Sequence, residues 1–146
     1  MNHSQSAVRC SNLRKQFGEG DTRIEVLRGV NFTAEAGELT FLLGPSGCGK
    51  TTLISVIAGL LDSSSGDVEI FGTAVEKLDP DARVRFRRSH LGFVFQQYNL
   101  LPALTAAENA AVPLLAGGVP QREAVRRARG LLEKLGMAER ADTLPS

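Results

Sequence analysis

The chain has 146 residues, 42% apolar and 23% charged, which predicts a globular fold and excludes wholesale disorder. Its 17 basic and 16 acidic residues give a net charge of +1, which excludes a strongly basic nucleic-acid-binding domain or a polybasic membrane anchor. No apolar run approaches the ~20 residues that cross a bilayer, and no apolar signal segment follows Met1, so we expect a cytoplasmic protein. Cys10 and Cys48 lack metal-ligand spacing.

The first half of the chain predicts extended segments that lead into a helix. Residues 8–17 and 24–32 flank a polar, glycine-rich turn, as in a hairpin. Residues 39–43 are a nearly continuous apolar run between glycines, typical of a strand buried on both faces. Apolar residues at helical spacing follow over residues 50–61, and residues 67–71 predict a further strand.

The second half becomes rich in Ala, Leu and Arg. A short Arg-rich helix is predicted over residues 80–88, with a proline at its start, and residues 91–95 predict another buried strand. Residues 105–108 have the Thr-x-x-Glu spacing of a capping box, which predicts the start of a helix. A last helix is predicted from Pro120, with one apolar face and a stop at Gly136.

The strongest chemical signal is a glycine-rich loop between the predicted strand and helix of the first half. It matches G-x-x-x-x-G-K-[ST], in which small residues let backbone N–H groups surround phosphate oxygens at a helix N-terminus. Lys50 is expected to reach the β- and γ-phosphates of a nucleoside triphosphate, and the Thr51 hydroxyl is expected to ligate Mg²⁺. The residues predicted to bind the nucleotide here are Gly44, Pro45, Ser46, Gly47, Cys48, Gly49, Lys50, Thr51 and Thr52.

The surroundings of this loop resemble the ATP-binding domains of ABC transporters. Residues 13–17, followed by residues 26–32, resemble the antiparallel β region with which these domains begin. The resemblance implies that Phe17 stacks on the adenine of ATP. The alternative, a phenylalanine in a small strand core, stays open at this point.

Residues 91–96 resemble the entry to the Q-loop of the same family. The resemblance implies that Gln96 contacts Mg²⁺ and the attacking water and senses a membrane partner, with Gln97 as the alternative. An amide suits this role because it offers an oxygen to a metal or a nitrogen to an oxyanion. Residues 98–114 resemble the entry to the helical subdomain, nearest the subclass of lipoprotein-releasing and macrolide-exporting transporters.

The resemblance implies an α/β fold, a P-loop NTPase of the ABC cassette type that is truncated. An N-terminal antiparallel β subdomain and part of the P-loop core would occupy residues 1–98, and the start of a helical subdomain residues 99–146. The family's signature (Leu-Ser-Gly-Gly-Gln), its Walker B strand ending in Asp-Glu and its switch histidine do not occur in these residues. We therefore expect a chain that binds ATP and Mg²⁺ but does not hydrolyse ATP alone.

The complete protein, by the same resemblance, would be an ATP hydrolase that forms a homodimer. It would power export through a membrane-embedded permease subunit, at the cytoplasmic face of the plasma (inner) membrane, without a nucleic-acid partner. The alternatives are a P-loop kinase of a small metabolite, a non-transport ABC ATPase and a non-catalytic nucleotide-binding remnant. The Arg clusters within residues 83–88 and 122–129 are expected to be solvated helix faces.

Overall fold

The computed structural model describes residues 6–145, which form two compact units within Met1–Phe93 and Val94–Ser146. The described part of the first unit contains β1 (Ser6–Phe17), β2 (Ile24–Glu35), α1 (Lys50–Ile57), β3 (Ser65–Ile70), β4 (Thr73–Ala74) and α2 (Pro80–His90). The second contains α3 (Ala106–Ala116) and α4 (Gln121–Lys134). Single 3-10 turns lie at Gly20–Thr22, Val75–Lys77 and Ala138–Arg140.

The strands form one antiparallel sheet in the order β2-β1-β3-β4. β1 and β2 pair as a hairpin across the turn at Gly20–Thr22, as their sequence predicts. β1 then pairs on its other edge with β3, where Cys10 lies opposite Val68. The N-terminal antiparallel β region that the ABC resemblance implied is therefore present.

The core of the first unit lies between α1 and this sheet. Leu53 and Val56 of α1 are buried, and Leu13 and Ile70 of the sheet are at most 1% exposed. Each such side chain contributes about 1.5–3 kcal/mol by leaving water. This packing places the N-terminus of α1, and the glycine-rich loop before it, beside β2.

The prediction of buried strands over residues 39–43 and 91–95 is wrong. Neither segment has strand geometry, and Leu39, Leu43 and Val94 are 82%, 86% and 96% exposed. A strand exists only where a neighbour accepts and donates its backbone hydrogen bonds. Among residues 6–145, the sheet places no strand beside either segment, so apolar composition alone does not make them strands.

The second unit is an α-helical hairpin whose first helix begins where the capping box predicts. Thr105 Oγ1 accepts a hydrogen bond from the Glu108 backbone N–H at 3.3 Å, and Glu108 Oε2 accepts one from the Thr105 N–H at 2.8 Å. α3 and α4 pack mainly through alanines. The buried residues of their two apolar clusters are Ala107, Ala111, Ala124, Ala128, Leu132 and Ala141.

The apolar face predicted for the last helix is only partly buried. Ala124 and Ala128 are 0% exposed, whereas Leu131 is 56% and Leu135 is 73% exposed. The helix ends at Lys134, close to the predicted stop. Its exposed face carries an i,i+4 ion pair of Glu123 with Arg127, at 2.7 Å.

The Arg-rich helix α2 is not a uniformly solvated face. Arg85 and Arg88 are exposed, as predicted. Arg83 and Arg87 are half-buried and donate hydrogen bonds to the region around the end of α1, so the prediction is wrong for these two. Arg83 and Arg87 are four residues apart, so they lie on the same face of α2 and can both contact one neighbouring element. The sequence alone does not identify that element.

Candidate functional site

The glycine-rich loop leads directly into α1, whose first residue is Lys50. Gly49 caps the helix in a left-handed conformation, with φ of 98°. A Cβ at this position would lie 3.2 Å from Leu27 Cδ2 and 3.3 Å from the Val26 carbonyl oxygen. Glycine therefore meets two requirements at once, a positive φ and a close approach to β2.

The first turn of α1 presents backbone N–H groups without acceptors. The first helical bond runs from the Leu53 N–H to the Gly49 carbonyl oxygen at 2.8 Å. Within residues 6–145, no acceptor is bonded to the N–H groups of Lys50, Thr51 or Thr52. Such groups at the positive end of a helix dipole favour an anion.

Lys50 brings a cation to the same place. Its Nζ donates to the carbonyl oxygens of Gly44 at 2.8 Å and Pro45 at 2.7 Å, and lies 3.7 Å from Cys48 Sγ. These contacts hold the ammonium over the loop with nothing anionic bonded to it. An incoming phosphate would take over hydrogen bonds that the two carbonyls now accept.

Thr51 is the described residue of this loop best suited to a divalent cation. Its side chain is exposed, and its hydroxyl forms no hydrogen bond with any residue in 6–145. A hydroxyl is the hard oxygen ligand that Mg²⁺ prefers, and Mg²⁺ usually takes few protein ligands beside phosphates and water. The Thr51 hydroxyl therefore fits the role of one protein ligand to Mg²⁺.

Phe17 ends β1 in the same unit as the loop. Its side chain is 42% exposed and lies outside the buried core cluster. Lys15 Nζ lies 5.1 Å from the centroid of the Phe17 ring, within the range of a cation–π interaction. A ring exposed to this extent is not part of the buried core, and stacking of Phe17 on adenine stays a prediction.

Gln96 belongs to the second unit, in the exposed segment between α2 and α3, with Gln97 beside it. The segment that follows is held by Asn109, which no sequence pattern marks as a functional residue. Asn109 Nδ2 donates to the carbonyl oxygens of Leu101 at 3.0 Å and Leu104 at 2.8 Å. Asn109 Oδ1 accepts from the Leu101 N–H at 2.8 Å.

Other candidate chemistry is sparse over residues 6–145. No group of three His, Cys, Asp or Glu side chains there is placed to hold a metal. Cys10 is buried, and burial raises the pKa of its thiol to about 11, with the charge of Glu76 adding to the effect. No helix in this range is both long enough and apolar enough to span a bilayer.

Comparison with known proteins identifies relatives over almost the whole chain. The family model for "ABC transporter" matches residues 27–146. The lipoprotein-releasing system ATP-binding protein LolD of Novosphingobium aromaticivorans is 46% identical over 98% of the chain and 64% of LolD. The macrolide export ATP-binding/permease protein MacB of Shigella flexneri is 37% identical over 92% of the chain and 21% of MacB.

Solved structures agree with these relatives. The ATP-binding cassette MJ0796, in a dimeric post-hydrolysis state bound to ADP and Pi, superposes with a TM-score of 0.81 at 38% identity. The match covers 94% of this chain and 61% of the MJ0796 chain. The chain thus spans somewhat over 60% of the length of LolD and MJ0796. The predicted family, subclass and fold are confirmed.

Proposed function

Since this chain belongs to the ABC transporter family, in the subclass of LolD and MacB, we propose that it binds ATP as part of a transport ATPase subunit. The observation that carries the proposal is the N-terminus of α1. Three N–H groups without acceptors and the Lys50 ammonium converge there, directly after Gly49 with its positive φ. The related cassette MJ0796 holds ADP and Pi in its post-hydrolysis state, which supports a nucleotide as the ligand.

Within this proposal each loop residue has a distinct task. The N–H groups of residues 47–52 surround the phosphates, and Lys50 neutralises the β- and γ-phosphate charge. Thr51 holds Mg²⁺, which supplies charge neutralisation when bound. Gln96 completes the metal and water contacts in the whole subunit, and Phe17 stacks on adenine.

Hydrolysis is proposed for the whole subunit and not for these residues alone. Phosphoryl transfer to water depends on positioned charges, and acidic groups that hold the metal and activate water are required beside the loop. We propose that the complete protein supplies them and works as a homodimer, at the cytoplasmic face of the plasma (inner) membrane.

We propose that the membrane-embedded permease contacts the second unit. An apolar cavity of about 490 Å³ lies between α3, α4 and the chain that follows, and Leu100, Leu132, Met137 and Leu144 are among its lining residues. Leu100 and Leu144 are 50% and 59% exposed. Exposed apolar side chains grouped in this way are typical of a surface that contacts another protein, which supports the proposal.

Calorimetric titration of the 146-residue chain with ATP and Mg²⁺ tests the nucleotide proposal. Saturable binding is expected for the natural chain and for Lys77→Ala, which removes an exposed lysine elsewhere in the same unit. Lys50→Ala should lose this binding. Equal affinity in Lys50→Ala and Lys77→Ala contradicts the proposed site. Transfer of phosphate from ATP to a hydroxylated metabolite would instead support the kinase alternative.

A further inference from the structure

The carboxyl end of α1 is tied to α2 by one charged hydrogen bond. Arg87 Nη1 donates to the Gly59 carbonyl oxygen at 2.6 Å, joining residues 28 positions apart. The aliphatic part of Arg87 is half-buried, and its Cδ lies 3.3 Å from where a Cβ on Gly59 would stand. The side chain is therefore packed in place along its length as well as bonded at its tip.

The acceptor of this bond belongs to the turn that ends α1. The Gly59 N–H donates to the Val56 carbonyl at 2.9 Å, and the Leu60 N–H donates to the Ser55 carbonyl at 2.9 Å. This is a Schellman motif, with Gly59 in the left-handed conformation at φ of 64°. The guanidinium of Arg87 thus sits at the negative end of the α1 dipole, where a cation is favoured.

Arg83 attaches the next stretch of chain from one turn earlier on α2. Its Nη1 donates to Asp62 Oδ1 at 2.8 Å, and its Nη2 donates to the Glu76 carbonyl at 3.1 Å. The end of α1 and the loop after it are thus held at two points by one face of α2. Arg85 and Arg88 of the same helix are exposed, and their side chains form no hydrogen bond with the described residues.

Because α1 is short, the contacts at its carboxyl end also determine the position of its amino end. Its 8 residues span about 12 Å and are treated as one rigid helix. Leu53 and Val56 bury its middle against the sheet, and Gly49 contacts β2 at its start. Tilting about this buried middle, once the carboxyl end is released, would displace Lys50 and the three open N–H groups.

We infer that Arg87 is a positioning residue for phosphate binding, which acts through α1 by fixing the carboxyl end of the helix. The inference rests on the proposed binding of ATP at the opposite end. Displacements of about 1 Å are enough to weaken a network of phosphate contacts. Mutations in such a connecting element change ligand affinity by roughly 3- to 30-fold.

The test compares Arg87→Met, which keeps the packed stem and removes the donor, with Arg87→Lys, which keeps a cationic donor. Arg88→Met is the matched control, because Arg88 is exposed on the same helix and its side chain forms no hydrogen bond or ion pair with residues 6–145. Dissociation constants for ATP–Mg²⁺ and AMP are measured on the 146-residue chain, together with denaturant unfolding, under conditions where each variant is folded. Arg87→Gln replaces Arg87→Met if the latter does not fold.

The expected result is an ATP dissociation constant raised about 3- to 30-fold in Arg87→Met, largely restored in Arg87→Lys and unchanged in Arg88→Met. The constant for AMP, which lacks the β- and γ-phosphates, should change less than about twofold. Unchanged ATP affinity in Arg87→Met, or equal losses for ATP and AMP, overturns the positioning role. If the natural chain itself does not bind ATP, its titration will be the same as that of Lys50→Ala. This outcome would overturn the proposed function along with this inference.

Discussion

Lys50 and Gly44 close the glycine-rich loop on itself, because Lys50 Nζ donates to the Gly44 carbonyl oxygen at 2.8 Å. The same ammonium bonds to Pro45, so both of its oxygen acceptors in the loop are backbone carbonyls, with Cys48 Sγ 3.7 Å away. A carbonyl accepts a hydrogen bond from an ammonium less strongly than a phosphate oxygen does. The resting loop therefore holds the cation in place and releases it readily to an anion.

Lys50→Ala should remove the stabilisation of the chain by nucleotide. At ATP–Mg²⁺ about 100 times its dissociation constant, the natural chain should gain roughly 2.7 kcal/mol of unfolding free energy. The gain is measured as the shift in the urea midpoint with and without ligand. Without ligand, Lys50→Ala should unfold close to the natural chain, since only exposed carbonyls lose a donor. An undiminished ligand shift in Lys50→Ala would contradict the role of this residue.

Phe17→Ala should weaken ATP binding by about 1–3 kcal/mol, the range for an aromatic ring stacked on a base. Phe17→Trp keeps a stacking surface and is expected to bind ATP at least as well as the natural chain. GTP should bind with similar affinity, because stacking does not distinguish the base edges. Fluorescence titration of the three chains checks this, and equal ATP affinity in Phe17→Ala would assign the base contact elsewhere.

The two cysteines should differ sharply in reactivity. Cys48 is exposed, whereas Cys10 is buried with its pKa raised to about 11, so Cys10 carries almost no thiolate near neutral pH. A colorimetric thiol reagent should modify one thiol in the native chain and two in denaturant, and none in native Cys48→Ser. ATP–Mg²⁺ should slow the native reaction, because Cys48 lies in the loop. Rapid modification of both thiols in the native chain would contradict the burial of Cys10.

Thr105→Ala should destabilise the second unit by about 0.5–2 kcal/mol, the usual cost of losing a helix N-cap. Thr105 Oγ1 accepts the Glu108 N–H, while the Ala106 and Ala107 N–H groups are bonded to the carbonyls of Thr143 and Ala141. Thr105→Ser keeps the acceptor and should stay near the natural value in denaturant unfolding. Equal stabilities of the Ala and Ser variants would show that the cap contributes nothing.

Glu123 should make the stability of the chain depend on acid pH. Hydrogen bonds from Arg126 and then Arg127 lower the pKa of its carboxyl from 4.5 to about 2. Since the folded-state pKa is the lower one, the carboxylate stabilises the fold above pH 4.5, and this contribution is lost as the pH falls toward 2.

The Glu123 effect is measured as denaturant unfolding at several pH values between about 2.5 and 6. Glu123→Gln should show a smaller loss of stability over this interval than the natural chain. Glu133→Gln is the matched control, because Glu133 lies on the same helix and forms no ion pair with residues 6–145. Identical pH profiles for the natural chain and Glu123→Gln would rule out the contribution.

Local signals in the sequence were sufficient for the helices and for the glycine-rich loop. The capping box at Thr105 and the Gly49–Lys50 pair at the start of α1 act through neighbours in sequence, so their geometry follows from residue order. The predictions for residues 39–43 failed because strand formation needs a partner distant in sequence, which composition does not reveal. Arg87 was misjudged for the same reason, since its acceptor is the Gly59 carbonyl.

The site could be predicted only in part. The pattern at residues 44–51 identified the loop, but the carbonyl contacts of Lys50 depend on how the loop folds back. The role of Gln96 is implied only by the resemblance of residues 91–96 to the Q-loop entry of the family, and it stays a prediction. The role of Asn109 could not be predicted, because its side chain forms all four of its hydrogen bonds with backbone groups. Such partners do not depend on residue type and leave no pattern in the sequence.

The stretch between Glu35 and Lys50 has one end in the sheet and the other in a helix, with no regular structure between them. Its apolar residues are largely exposed, and few of its backbone groups form hydrogen bonds with the described residues. Restricting a residue to one backbone conformation costs about 1–2 kcal/mol in conformational entropy. Contacts of the phosphates with residues 44–49 should restrict them further than the Lys50 bonds do, so calorimetry should show ATP binding with a favourable enthalpy and an unfavourable entropy.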